Sequence, residues 1–343
     1  MLESRLSFRS GRATRAAFGG SALVAAMAAM TLSLAGSAAT PSVAPAVAQV
    51  LRMLPNQLIS DPRAAAPSTR GSSSSKAAAS AQPCWASSNW SGYAVASEAP
   101  SGTSCSFPSS TDSSYSGSYS SVSATWTVPT VTSSGSSGGF GFFRPSGTYS
   151  AVWTGIDGFS NDDLIQAGTE QNYGGGKASY SAWWEILPAA ETTIPSITVD
   201  PGDSISVSIT KLTAAITSPI VCSAGQWLIS LTDTTADSAG RGSPSNTCHS
   251  YSGPANSAEY IVEAPEVNGS IATLADYGSE ALGVPSTLTV NGSSVHLAAG
   301  TGGEMEQGNF FSSQVVSVPS NPGPNSDDFN MAYGSTAPSP PTT

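Results

Sequence analysis

Beyond residue 84 the chain shows almost no 3.6-residue periodicity, and its β-branched and aromatic residues fall in short runs that alternate with polar ones. Ser204-Ile205-Ser206-Val207-Ser208-Ile209-Thr210 and Ala124-Thr125-Trp126-Thr127-Val128 alternate residue by residue. In a strand that pattern sends one set of side chains into a core and the other toward water. Leu288-Thr289-Val290 and Val295-His296-Leu297 flank Asn291-Gly292, a pair suited to the left-handed turn of a hairpin. Gly, Pro, Asn, Asp and Ser punctuate the remaining runs, and no internal repeat is present. The expectation is an all-β domain over residues 84–333, a two-sheet antiparallel β-sandwich. Residues 109–121 and 133–139 are expected as surface loops and 334–343 as a disordered tail.

The N-terminal part is of another kind. Arg5, Arg9, Arg12 and Arg15 precede a small-residue apolar stretch, Ala16 to Ala35, that holds no acid. That is the layout of a secretory signal, so residues 1–39 are expected to be removed and the protein to be secreted. Residues 40–83 are rich in Ala, Ser and Pro and cannot form a packed core. Only Val50-Leu51-Arg52-Met53-Leu54 has the apolar content to dock. After residue 84 there are four basic residues against 21 acidic ones, a net charge of −17. Such a surface repels phosphates and anionic membranes, so no nucleic acid and, after signal removal, no membrane is expected as a partner. Residues 40–83 instead carry Arg52, Arg63, Arg70 and Lys76 against Asp61 alone. They are read as a pro-segment held against an acidic cleft as an inhibitor, which acidification should loosen.

In an exported chain the four cysteines are expected to pair. Cys84 with Cys105 and Cys222 with Cys248 closes the shortest loops. No pair has Cys-x-x-Cys spacing, and neither a metal nor another cofactor is expected. The region after residue 84 has two histidines, His249 beside Cys248 and His296 inside the expected hairpin, and no Gly-x-Ser-x-Gly elbow. Both facts argue against a Ser-His-Asp triad. Gly174-Gly175-Gly176-Lys177 lies between strand-like segments and reads as a turn rather than a phosphate loop.

Carboxylates remain. In Ser257-Ala258-Glu259-Tyr260-Ile261-Val262-Glu263-Ala264-Pro265, strand geometry puts Glu259, Ile261 and Glu263 on one face and Tyr260 and Val262 on the other. Two carboxylates about 7 Å apart would raise each other's pKa, although the same spacing fits a solvent-facing strand edge. Trp153 to Gly158, Leu164 to Glu170 and Tyr180 to Pro188 bring tryptophan, acid and amide groups onto neighbouring strands. This fits a core with a polar rim as well as the floor of a peptide or sugar groove.

Seven blocks in order decide between these readings. They are Ser88-Asn89-Trp90-Ser91-Gly92-Tyr93, Ser123 to Pro129, Trp153-Thr154-Gly155-Ile156-Asp157-Gly158, Ile165-Gln166-Ala167-Gly168, Tyr180 to Pro188, Pro201 to Ile205, and Ala258 to Glu263. In them the chain resembles the glutamic peptidases, or eqolisins. The resemblance implies a lectin-like (concanavalin-like) jelly roll whose concave face binds an extended peptide. It implies a catalytic dyad of Gln166 and Glu259, with Trp90, Trp153, Asp157, Trp183, Glu185 and Glu263 lining or supporting the site. Leu187 and Ser181 depart from the fungal pattern, which tends to have an aromatic and an acid there. A secreted acid endopeptidase acting as a monomer on proteins or peptides is the expectation. The alternatives are a carbohydrate-binding sandwich and a glycosidase using Glu259 with Glu185 or Glu263.

Overall fold

A computed structural model describes residues 51–59, 83–103, 105, 107, 117–134, 147–235, 244–278, 289–297, 301–309, 312–325 and 327–342. The expected signal, most of 40–83, and the loop stretches 109–116 and 135–139 lie outside the described residues.

Two sheets carry the architecture. The smaller holds β4 (Ser121–Thr127), β9 (Ser204–Lys211), β10 (Trp227–Asp233), β11 (Ser245–His249), β15 (Thr289–Val290) and β16 (Ser293–Ser294), in the order β11-β10-β9-β4-β15-β16. The larger holds β3 (Trp90–Ala96), β5 (Gly147–Ile156), β6 (Ile165–Gly174), β7 (Lys177–Ile186), β8 (Thr192–Thr193), β12 (Ser257–Glu263), β17 (Gly303–Asn309), β18 (Ser312–Pro319) and β19 (Met331–Tyr333), in the order β19-β18-β17-β3-β12-β5-β6-β7-β8. Beside β17 runs β2 (Trp85–Ser87), parallel to it. A third, small sheet joins β1 (Leu51–Arg52) to β13 (Glu266–Val267) and β14 (Ser270–Ile271).

The alternating sequences form the strands expected of them. Val122, Ala124 and Trp126 of β4, Ile205, Val207 and Ile209 of β9, and Trp227, Ile229 and Leu231 of β10 are buried, and the residues between them are partly exposed. They pack on Tyr93, Val95, Val152, Ile156, Ile165, Ala167, Ala182, Tyr260 and Val262 of the larger sheet. The two sheets therefore face each other across one core, and the Trp126 indole donates to Thr169 Oγ1 across it at 3.0 Å. The hairpin at Asn291-Gly292 pairs β15 with β16, both turn residues having positive φ. Both expected disulfides, Cys84–Cys105 and Cys222–Cys248, are formed. Residues 334–342 form no strand, and Asn330 Nδ2 donates to Ser339 O at 2.8 Å.

The larger sheet breaks the one-face rule. β3 and β12 are buried at every position, and β5 at all but its first. Their second face carries its own apolar cluster, in which Trp85, Trp90, Ala94, Ala151, Trp153, Trp183 and Ile261 enclose Met53. Residues 51–59, which belong to the same compact unit as the sandwich, thus lie on the face that would otherwise meet water.

Candidate active site

Register places the functional side chains in rows across β3, β12, β5, β6 and β7. One row reads Ala94, Glu259, Gly155, Gln166, Glu185. The next reads Gly92, Ile261, Trp153, Gly168, Trp183, and the third Trp90, Glu263, Ala151, Glu170, Ser181. Alternation turns all of them to the face opposite the shared core. Glu259 and Gln166 thus flank a glycine. A Cβ on Gly155 would lie 3.1 Å from Gln166 Cβ and 2.9 Å from the Trp153 ring, so a larger residue there would displace Gln166 or Trp153.

The polar atoms in the first row are left open. Both carboxylate oxygens of Glu259, Gln166 Oε1, Glu185 Oε1 and, in the adjacent row, Trp183 Nε1 are buried with no partner in good hydrogen-bonding geometry among the described residues, the Ser257 hydroxyl being the one side chain near enough to Glu259 to lower its pKa. Buried polar groups are nearly always satisfied, because each orphan costs about 1–3 kcal/mol. A cluster of such orphans in one place is a mark of groups kept for a ligand. Among the described residues Gln166 has one side-chain bond, from Nε2 to Glu185 Oε2 at 2.9 Å, and its second amide hydrogen meets no acceptor there. Among the described residues no group of three His, Cys, Asp or Glu side chains is placed to hold a metal ion.

Glu263 is fully engaged. Its Oε2 accepts from the Trp153 indole at 2.9 Å, and its Oε1 from Leu54 N at 2.9 Å and Asn89 Nδ2 at 3.3 Å. Trp90 stands edge-on to Trp153 at 4.8 Å between ring centroids. Asp157 is not brought into hydrogen-bond contact with the other expected site residues. At a positive φ of 71° after β5, it accepts from Tyr251 Oη (2.6 Å), Ala255 N (2.8 Å), Asn256 N (2.9 Å) and Asn161 Nδ2 (3.2 Å). It therefore fixes the approach to β12 and reaches Glu259 only through its charge.

Burial is the first cause of every carboxyl shift in the site. Glu185 is pushed up to about 8 by burial, although hydrogen bonds from Met53 and Gln166 and the charge of Arg52 pull the other way. Glu259 and Glu263 are raised well above the ordinary value, again by burial first. The expected mutual repulsion of Glu259 and Glu263 is not the cause. The like charge acting on Glu259 is Asp157, and that acting on Glu263 is Glu185. The solvent-facing alternative for this strand is overturned, since Glu259 and Glu263 have no exposed surface.

At the departures from the fungal pattern, Leu187 joins the apolar cluster on this face. Ser181 donates to Glu170 Oε2 across the strand pair at 3.3 Å. Glu191 is raised by burial and then by the charge of Glu170.

Residues 51–59 occupy this site through their backbone. β1 pairs with β13, Leu51 opposite Val267 and Arg52 opposite Glu266. Met53 N donates to Glu185 Oε2 at 3.1 Å, the oxygen that also takes Gln166, and Leu54 N donates to Glu263. Trp90 Nε1 donates to Leu54 O at 2.9 Å, and Asn56 N to Gly158 O at 2.9 Å. Asn89 holds this segment too; it stands in the first block of the family resemblance, but the resemblance assigns it no role, and its burial and partners supply one.

A family model described as the Peptidase A4 family matches residues 109–321. Aspergillopepsin-2 of Aspergillus niger is 30% identical over 211 residues, covering 55% of this chain and 66% of that protein, a little under two thirds of its length. Among solved structures, scytalido-glutamic peptidase with a transition state analog inhibitor is 23% identical at a TM-score of 0.49, over 72% of this chain and 98% of that one. Aspergilloglutamic peptidase from Aspergillus niger is 25% identical at a TM-score of 0.41, over 54% of this chain and 99% of that one. The family model covers more than half of the chain, which belongs to the Peptidase A4 family, the glutamic peptidases.

Proposed function

We propose that this chain is the precursor of a secreted, acid-active endopeptidase in which Glu259 is the general base and Gln166 the oxyanion donor. The observation that carries this reading is the pairing of Glu259 and Gln166 across Gly155, both buried and both with open hydrogen-bonding capacity. Once the site is open to solvent, Glu259 returns toward the ordinary carboxylate range of about 4.3 and is ionised in mild acid. It takes a proton from a water that Gln166 Oε1 orients, and the water oxygen bonds to the scissile carbonyl carbon. The carbonyl oxygen becomes an oxyanion facing the free hydrogen of Gln166 Nε2. Glu259 then passes its proton to the departing amine, the C–N bond breaks, and the carboxylate is restored. Glu185 Oε2 accepts from Gln166 Nε2 and so holds the amide in place beside the dyad.

In the precursor, residues 51–59 act as the inhibitor. They fill the cleft, and with them in place Glu259 is fully buried and raised, neutral where it would need to be a base. The sandwich and the two disulfides fit a secreted protein. A sugar-binding module would need neither open group of the dyad. Digestion of proteins and of glycans by one purified sample between about pH 3 and 6 tests the reading. Protein hydrolysis should be seen, falling about 100-fold or more in Gln166→Ala, the usual scale for an oxyanion donor. Glycan cleavage, or near wild-type proteolysis in that variant, would remove the dyad mechanism.

A further inference from the structure

The turn joining β2 to β3 reads the main chain of the docked segment, residue after residue. Ala86 O accepts from Ile59 N at 3.0 Å, and Ser87 pairs with Leu58. Ser88 N donates to Gln57 O at 3.0 Å. Asn89 Oδ1 accepts from Gln57 N at 2.9 Å, while its Nδ2 donates to Pro55 O at 3.2 Å and Leu54 O at 3.4 Å. Trp90 Nε1 completes the series on Leu54 O. Every atom contacted is a backbone atom of residues 54–59, so these bonds are blind to side chains. A primary amide offers a donor and an acceptor at once, which is what a peptide unit requires and what a carboxylate or alkyl group cannot supply. Asn89 is wholly buried and its aim is fixed by Ser87 Oγ (2.8 Å) and Glu263 Oε1.

We propose that Ala86–Trp90 is the backbone cradle for substrate in the active enzyme and that Asn89 is its positioning residue. When residues 51–59 leave, an extended polypeptide takes the same path in the same direction, passing Glu185 and Gln166 at the position of Met53. It is gripped through its main chain over the next six positions toward its C-terminus, those of residues 54–59. The path leads to the dyad because Met53 N and Gln166 Nε2 share one Glu185 oxygen. The inference deepens the peptidase reading and rests on it. It names the substrate class as unfolded segments that continue several residues past the reacting site, taken with little regard to side chains there.

The test uses the chain after residues 51–59 have been cut from the sandwich, their loss confirmed by mass spectrometry, and two fluorogenic peptides with the same cleaved bond. One ends two residues after that bond and the other extends six further residues toward the C-terminus. Wild type should gain in kcat/KM from the extension, chiefly through KM, because bonds remote from the reacting atoms act on binding. Asn89→Ala should lose about tenfold or more of that gain, the scale for two or three neutral hydrogen bonds. Asn89→Asp, which keeps the acceptor for Ser87 and Gln57 and loses the donor, should lose an intermediate share, and it carries the test should the alanine variant not fold. Survival of the full gain in both variants would overturn the cradle. So would a gain that comes only from extending the peptide toward its N-terminus. If wild type cuts both peptides equally well, the peptidase reading stands and the cradle alone is wrong. If it cuts neither, the reading fails and the inference falls with it.

Discussion

Replacing Met53 by alanine should unlatch the precursor without touching the enzyme. Met53 has no exposed surface and lies among Trp85, Trp90, Trp153 and Trp183. Burying a methionine side chain is worth about 1.5–3 kcal/mol relative to leaving it in water. Truncation gives up most of that, about 2 kcal/mol, while the backbone bonds from Met53 and Leu54 to Glu185 and Glu263 can still form. At about 1.4 kcal/mol per factor of ten, docking of the segment weakens about 30-fold. The activity of the unprocessed full chain should rise by the same factor, measured as the initial rate on a short fluorogenic peptide while mass spectrometry shows the chain intact. In a Glu259→Gln background, where self-cutting is suppressed, amide exchange at residues 53–57 should accelerate in parallel. Latent activity and exchange that both stay within twofold of wild type would refute the reasoning, because the pocket would then contribute nothing to holding the segment.

The pH dependence of docking has a sign that the structure reverses from the sequence expectation. Met53 and Leu54 help to bury Glu185 and Glu263, whose pKa values are raised. A raised pKa stabilises the docked state below the ordinary carboxyl value and is lost as pH climbs through the raised one. Docking should therefore weaken from about pH 5 to about pH 8, with faster exchange at residues 53 and 54 after correction for intrinsic rates. Stronger protection at pH 8 would show that the charge of Arg52 governs instead. Separately, Asp157→Asn turns an amide NH2 toward donors that now point at a carboxylate. The cost should be about 2–3 kcal/mol in urea unfolding, and a change below about 0.5 kcal/mol would contradict the assigned role.

The strands were legible because β4, β9 and β10 each bury one face, and alternation is the direct imprint of that geometry on a sequence. The face that forms the site was legible only in part. Glu259, Ile261 and Glu263 could be placed together by period, and Gln166 and Glu185 stood in segments dense in tryptophan, acid and amide groups, but their roles entered through resemblance to a family. Nothing local says that β12 is covered on both sides, because the cover comes from residues 51–59, some 200 positions away in sequence. The same distance hid Asn89, whose partners lie on that cover. It also hid the burial of these carboxyls, which raises their pKa values where counting charges foretells only attraction.

Glu259→Gln isolates the role of Glu259 as the base, because the change keeps size and hydrogen-bonding capacity and removes only the ability to take a proton. With residues 51–59 cut away from both proteins by the same added protease, the variant should hydrolyse a protein substrate at least about 1,000-fold more slowly than wild type, within the range that general bases contribute, with its unfolding transition preserved. A rate within tenfold of wild type would contradict the account and move the base elsewhere on the same face, to Glu263 first.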